Sequence, residues 1–128
     1  MAAAQYNLNI ARGEDFSFTL TIRDSFDEPV IITTTGNKFK AEIREEFKKP
    51  LIQAFSFQTK TAVTGQSTID SALDVGEIRF NLTNEQTITF DVNKKYKWDF
   101  FWTDSGSGNL VHKLLYGDVI VSANITNI

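Results

Sequence analysis

The stretch "FSFTLTIRDSFDEPVIITTTGNKFKAEIR", residues 16–44, decides the fold class. Phe16, Phe18, Leu20 and Ile22 alternate with Ser17, Thr19, Thr21 and Arg23, and after an acidic turn Phe39, Ala41 and Ile43 alternate with charged residues. An apolar side chain at every second position is the period of a strand with one buried and one wet face, the pattern of an antiparallel sheet. "DSFDEP" between the two runs is a turn, because Asp and Ser bond their own backbone and Pro29 fixes φ without donating to a ladder.

Outward from this pair the same period recurs. "YNLNI" sets Tyr6, Leu8 and Ile10 on one face, and "ARGED" supplies a break centred on Gly13. "VIIT" reads as a short strand, and "LIQAFSF" as one strand with Leu51, Phe55 and Phe57 on one face. Residues 58–75, rich in Thr, Ser and small side chains, have no sustained period and read as a long loop. "GEIRFNLT" points Ile78, Phe80 and Leu82 inward, and "NEQTITF" starts a helical turn capped by Thr83 or Asn84.

Residues 95–126 predict a terminal hairpin about "DSGSGN". Tyr96, Trp98, Phe100 and Trp102 share one face; Phe101 lies on the other, with Leu114, Tyr116 and Ile120 of the returning strand, and Gly117 marks the place where the phase slips. About seven or eight short strands at turn spacing predict an all-β, antiparallel sandwich. No repeat or linker divides the chain, so residues 1–128 read as a single domain with residues 1–5 as a flexible start.

Composition narrows the function classes. With 41% apolar and 23% charged residues the chain has the means to build a core. A net charge of −3 with Lys and Arg scattered among the acids offers no surface for nucleic acid. No apolar run approaches the roughly 18 residues of a membrane helix, and "MAAAQYNLNI" does not read as a leader. Zero cysteines remove disulfides, thiolate nucleophiles and Cys-ligated zinc.

The candidate chemistry is sparse. His112, the only histidine, is the sole possible imidazole base and sits mid-strand beside Lys113, where pairing or solvation is the plainer role. Asp24, Asp27 and Glu28 gather in one turn but match no calcium-loop spacing. Asn81-Leu82-Thr83 and Asn124-Ile125-Thr126 fit the short glycan-acceptor pattern, which arises readily by chance. The row Tyr96, Trp98, Phe100 and Trp102 reads as core before it reads as a sugar platform. The second face of the hairpin then reads as an apolar patch, the kind that marks protein contacts.

Taken in order, "ARGEDFSFTLTIRDSFDEPVIITTTGNKFKAEIR", "GEIRFNLTNEQT" and "KYKWDFFWTDSGSGNLVHKLLYGDVIVSANIT" resemble small tail-associated structural proteins of bacteriophages, in particular the immunoglobulin-like amino-terminal domain of siphophage upper baseplate proteins. The residues that carry the resemblance are Gly13, Glu14 and Asp15 before the first long strand, Asp27 and Pro29 leading into Val30 to Thr33, and Ile43-Arg44 at a strand end. Gly76 to Thr83, Tyr96 with Asp99, and the ending Leu115, Gly117, Val119, Val121 and Thr126 complete it. Glu28 stands where that family often has glycine, and the chain stops at Ile128, where the baseplate proteins continue into receptor-binding modules.

The resemblance implies an immunoglobulin-like sandwich acting without catalysis or cofactor as a virion structural component: a baseplate, tail or neck adaptor. It implies other virion proteins as partners and a homo-oligomeric or symmetric arrangement in a particle assembled in the host cytoplasm. The alternatives are a capsid decoration protein, or a carbohydrate-binding module reading host glycans through Trp98 or Trp102. The expected protein interface comprises Phe101, Leu114, Tyr116 and Ile120, with Ile125 and Ile128 at the carboxyl end adding a strand to a neighbour.

Overall fold

The computed structural model describes residues 4–23, 26–28, 38–46, 50–61, 63, 65–104 and 110–123. Among them are ten strands and one helical turn: β1 Ala4–Gln5, β2 Leu8–Ala11, β3 Phe16–Thr21, β4 Lys38–Arg44, β5 Leu51–Ala54, β6 Ser56–Thr59, β7 Thr68–Ile69, β8 Glu77–Leu82, α1 Asn84–Thr87, β9 Lys95–Asp104 and β10 Leu110–Ser122. Eight of the strands have four residues or more; the strand expected at "VIIT", residues 30–33, lies outside the described residues. One sheet runs β1-β10-β9-β4-β5 with β2 also on β10; the other runs β3-β8-β6-β7. The order G-F-C-C′ against B-E-D of an immunoglobulin sandwich is thus present as β10-β9-β4-β5 against β3-β8-β6.

The inner faces meet in one core. Ile78, Phe80 and Leu82 of β8 oppose Trp98, Phe100 and Trp102 of β9, all buried. Trp98 follows Tyr96 by two residues, the position of the second cysteine in antibody domains. Here the inter-sheet space is filled by rings instead: Trp98 lies edge-on to Phe18 of β3, with centroids 5.8 Å apart. Tyr96 makes the corner of this architecture, its hydroxyl accepting from Asp91 N at 2.8 Å.

Not every pairing is antiparallel. β1 and β2 both run parallel to β10, and β7 runs parallel to β6. The first of these explains Gly117: a Cβ there would stand 2.8 Å from the carbonyl carbon of Tyr6 and closer still to its oxygen. Glycine lets the chain cross β10 at this point, where Tyr6 N donates to Tyr116 O and Tyr6 O accepts from the Trp98 indole at 2.7 Å. Ala4–Gln5, read from sequence as part of a flexible start, belong to this edge strand.

Three further readings change. The phase slip of β10 falls between Lys113 and Leu115, not at Gly117, because a bulge leaves Leu114 without an opposite residue. "LIQAFSF" is two strands: the chain leaves one sheet at Phe55 and enters the other, so Phe55 and Phe57 are buried while Leu51 is exposed. The 58–75 connection begins inside β6, contains β7, and buries Val63 and Leu73, with Ser67 Oγ joining Thr59 Oγ1 at 2.7 Å and accepting from Val63 N at 2.9 Å.

"NEQT" forms the expected turn. Thr83 caps it, accepting from Gln86 N while Gln86 Oε1 accepts from Thr83 N at 2.9 Å. The "ARGED" break clasps the same corner. Arg12 Nε donates to Phe90 O at 2.9 Å, Gly13 N to Thr87 Oγ1 at 3.1 Å, and Asn84 N to Asp15 Oδ1 at 2.7 Å. Gly13 has φ +85°, which glycine adopts without strain.

Candidate functional site

The expected contact surface is the outer face of the larger sheet, and its register makes a grid. Lys113, Phe101 and Lys40 lie abreast across β10, β9 and β4; Tyr116, Asp99 and Glu42 form the next row; Asp118, Lys97 and Arg44 form the third. Phe101 and Tyr116 are half-buried, with Lys113 Nζ 5.9 Å from the first ring centroid and 5.4 Å from the second. Glu42 Oε1 takes Arg44 at 2.9 Å and Lys40 at 3.6 Å, and Lys97 pairs with Asp118.

The face is therefore amphipathic where the sequence reading made it apolar. Phe101 of β9 and the apolar residues of β10 supplied that reading, and the charges among them come from Lys113 of β10, from Lys97 and Asp99 of β9 and from β4. Burial within this grid pushes the Asp99 carboxyl above its ordinary range, Lys113 and Arg44 pulling the other way and Glu42 adding to the rise.

The predicted interface residues separate. Phe101 and Tyr116 meet through Lys113. Ile120 stands apart beside Lys95 and Asn9, 49% exposed. Leu114, at the bulge, leans on the core cluster with Leu115 and so leaves the patch. Ile125 and Ile128 lie outside the described residues. Trp98 and Trp102 are buried, so neither offers a face to a sugar.

Nor does the chemistry weighed from sequence converge. The side chain of His112 is outside the described set, as is Asp24. Asp27 makes a loose, exposed pair with Arg23 at 3.9 Å. Among the described residues no three His, Cys, Asp or Glu side chains gather to hold a metal. The charged grid has only a partial trace in the sequence: "KFKAEIR" and "KYKWDFF" each carry a charge at every second position, but nothing in either segment says that the two lie side by side.

No family model matches the chain, and no curated protein matches it. Among solved structures it is similar to a chain in the crystal structure of ICOS in complex with ICOS-L and an anti ICOS-L VNAR domain. Identity is 8% and the TM-score 0.45, over 95% of this chain and 56% of that one.

Proposed function

We propose that this chain is a non-enzymatic structural component of a bacteriophage virion, an adaptor of the baseplate, tail or neck that works through protein–protein contacts. The observation that carries the reading is the amphipathic grid on the outer face of the larger sheet. Two half-buried rings, Phe101 and Tyr116, stand on either side of Lys113 with ion pairs at their border, and it is the aromatic pair inside a polar rim that suits a protein contact. The ordered succession of segments from "ARGED" to "GDVIVSANIT", which resembles that of phage tail-associated proteins, supports the setting.

Mass spectrometry of purified particles from a phage encoding this chain tests the setting. The expected result is the chain at a fixed stoichiometry; particles without it overturn the reading. Phe101→Ser combined with Tyr116→Ser tests the surface. Incorporation should fall while far-UV circular dichroism stays native, and full incorporation of a folded double variant would remove the grid from the contact.

A further inference from the structure

Among the described residues β3 is an edge strand. Phe16, Phe18 and Leu20 pair with Leu82, Phe80 and Ile78 of β8, and Ile22 N continues the ladder to Gly76 O at 2.9 Å. The main-chain groups of these even-numbered residues therefore face β8, and those of Ser17, Thr19 and Thr21 face the open side.

The other edges are blunted. β7 has two residues; β5 has four, follows Pro50 and meets β4 through an irregular register; the β1–β2 edge is broken at Tyr6 and Asn7. β3 has six residues, "FSFTLT", in unbroken register, with no charge, no proline and no bulge. Its inward Phe16, Phe18 and Leu20 are only partly buried, whereas their partners on β8 are wholly so. Tyr6, 49% exposed and stacked on Phe18 at 5.8 Å, widens this apolar strip.

We propose that β3 pairs with β3 of a second copy, antiparallel about a two-fold axis at Thr19. The flanking charges choose this occupant and this register. An axis at position 19 sets Asp15 of each copy opposite Arg23 of the other, with Ser17 opposite Thr21 and the two Thr19 facing each other. Asp15 meets Arg23 through the oxygen that does not bond Asn84 N, and Arg23 exchanges its loose 3.9 Å pair with Asp27 for it. Moving the axis by one position along the strand loses the Asp15–Arg23 match. With the axis at Thr19, Phe18 lies opposite Leu20 on the inner side, and the two smaller sheets join into one. A strand of this length spans roughly 20 Å, so the contact belongs to the weak, concentration-dependent class. This inference stands whether or not the chain is a virion protein.

Sedimentation velocity over a concentration series of the full chain tests it. A monomer–dimer equilibrium is expected, and Thr19→Lys, which brings two like charges face to face on an exposed position, should leave only monomer with unchanged circular dichroism and Tm. Because the chain has no cysteine, single thiols report the register. At Thr19→Cys the two Cα atoms stand about 5.5 Å apart and oxidise to a disulfide dimer, while at Ser17→Cys the two copies are roughly 14 Å apart and do not. A chain monomeric at every concentration, a dimer that survives Thr19→Lys, or equal cross-linking at both positions overturns the proposal.

Discussion

The two faces of the β9–β10 hairpin are made from one stretch of sequence and obey different physics. On the inner face Tyr96, Trp98, Phe100 and Trp102 are buried against the opposite sheet, with ring contacts from Trp98 and Phe100 to Phe80 at 6.3 and 4.8 Å. On the outer face Lys97, Asp99 and Phe101 are half-buried among charges from β4 and β10. Burial of rings stabilises without regard to direction, whereas partly exposed ion pairs contribute little to folding and lend themselves to choosing partners. The inner face should therefore carry the stability of the fold and the outer face its contacts.

The sharpest test removes Trp98. Trp98→Ala empties the space between the sheets and leaves Tyr6 O without its indole donor, so a loss of about 3–5 kcal/mol is expected in chemical denaturation. A loss comparable to that of Phe101→Ala would erase the distinction between the faces. Next in size is Gly117→Ala, where the new methyl meets the main chain of Tyr6 and one of the two segments must move. About 1–3 kcal/mol should be lost, and hydrogen exchange should accelerate at Tyr6, whose N–H bonds Tyr116 O. Unchanged exchange there would place the strain elsewhere.

What was legible in the sequence follows the same division. The inner row of β9 could be read because its period of two needs no knowledge of the neighbour, and Thr83 with Gln86 could be read because a capping box is local. The bulge at Leu114 could not. Leu114 and Leu115 are both apolar, so either phase of β10 satisfies the pattern and only the pairing with β9 decides between them. The outer face was illegible for a related reason: its character depends on Lys40, Glu42 and Arg44, more than fifty positions from their partners on β9. The crossing that requires Gly117 likewise joins the two ends of the chain.

Tyr96 ends the inner row, its ring packed edge-on to Phe90 at 5.0 Å and its hydroxyl accepting from Asp91 N. Tyr96→Phe keeps the ring and deletes the bond, so about 1 kcal/mol should be lost. A double-mutant cycle with Trp98→Phe should be additive if the corner acts separately from the core; a coupling of comparable size would make the inner face one unit reaching to Asp91.

The smallest effect discriminates most finely. Asp99 has a folded-state pKa raised by burial above its unfolded value. The folded chain then holds the proton more tightly than the unfolded one. Its contribution to stability is complete below the ordinary carboxylate pKa and is lost as pH rises through the raised one. Asp99→Asn keeps the shape and abolishes the titration, so its stability relative to wild type should rise with pH across that window, within about 0.5 kcal/mol. Urea denaturation at a series of pH values measures it. If instead the wild type gains on Asp99→Asn as pH rises, Lys113 and Arg44 outweigh burial at this carboxylate. The outer face would then hold the fold together as well as dress it, and the division between the two sides of the hairpin would be one of degree.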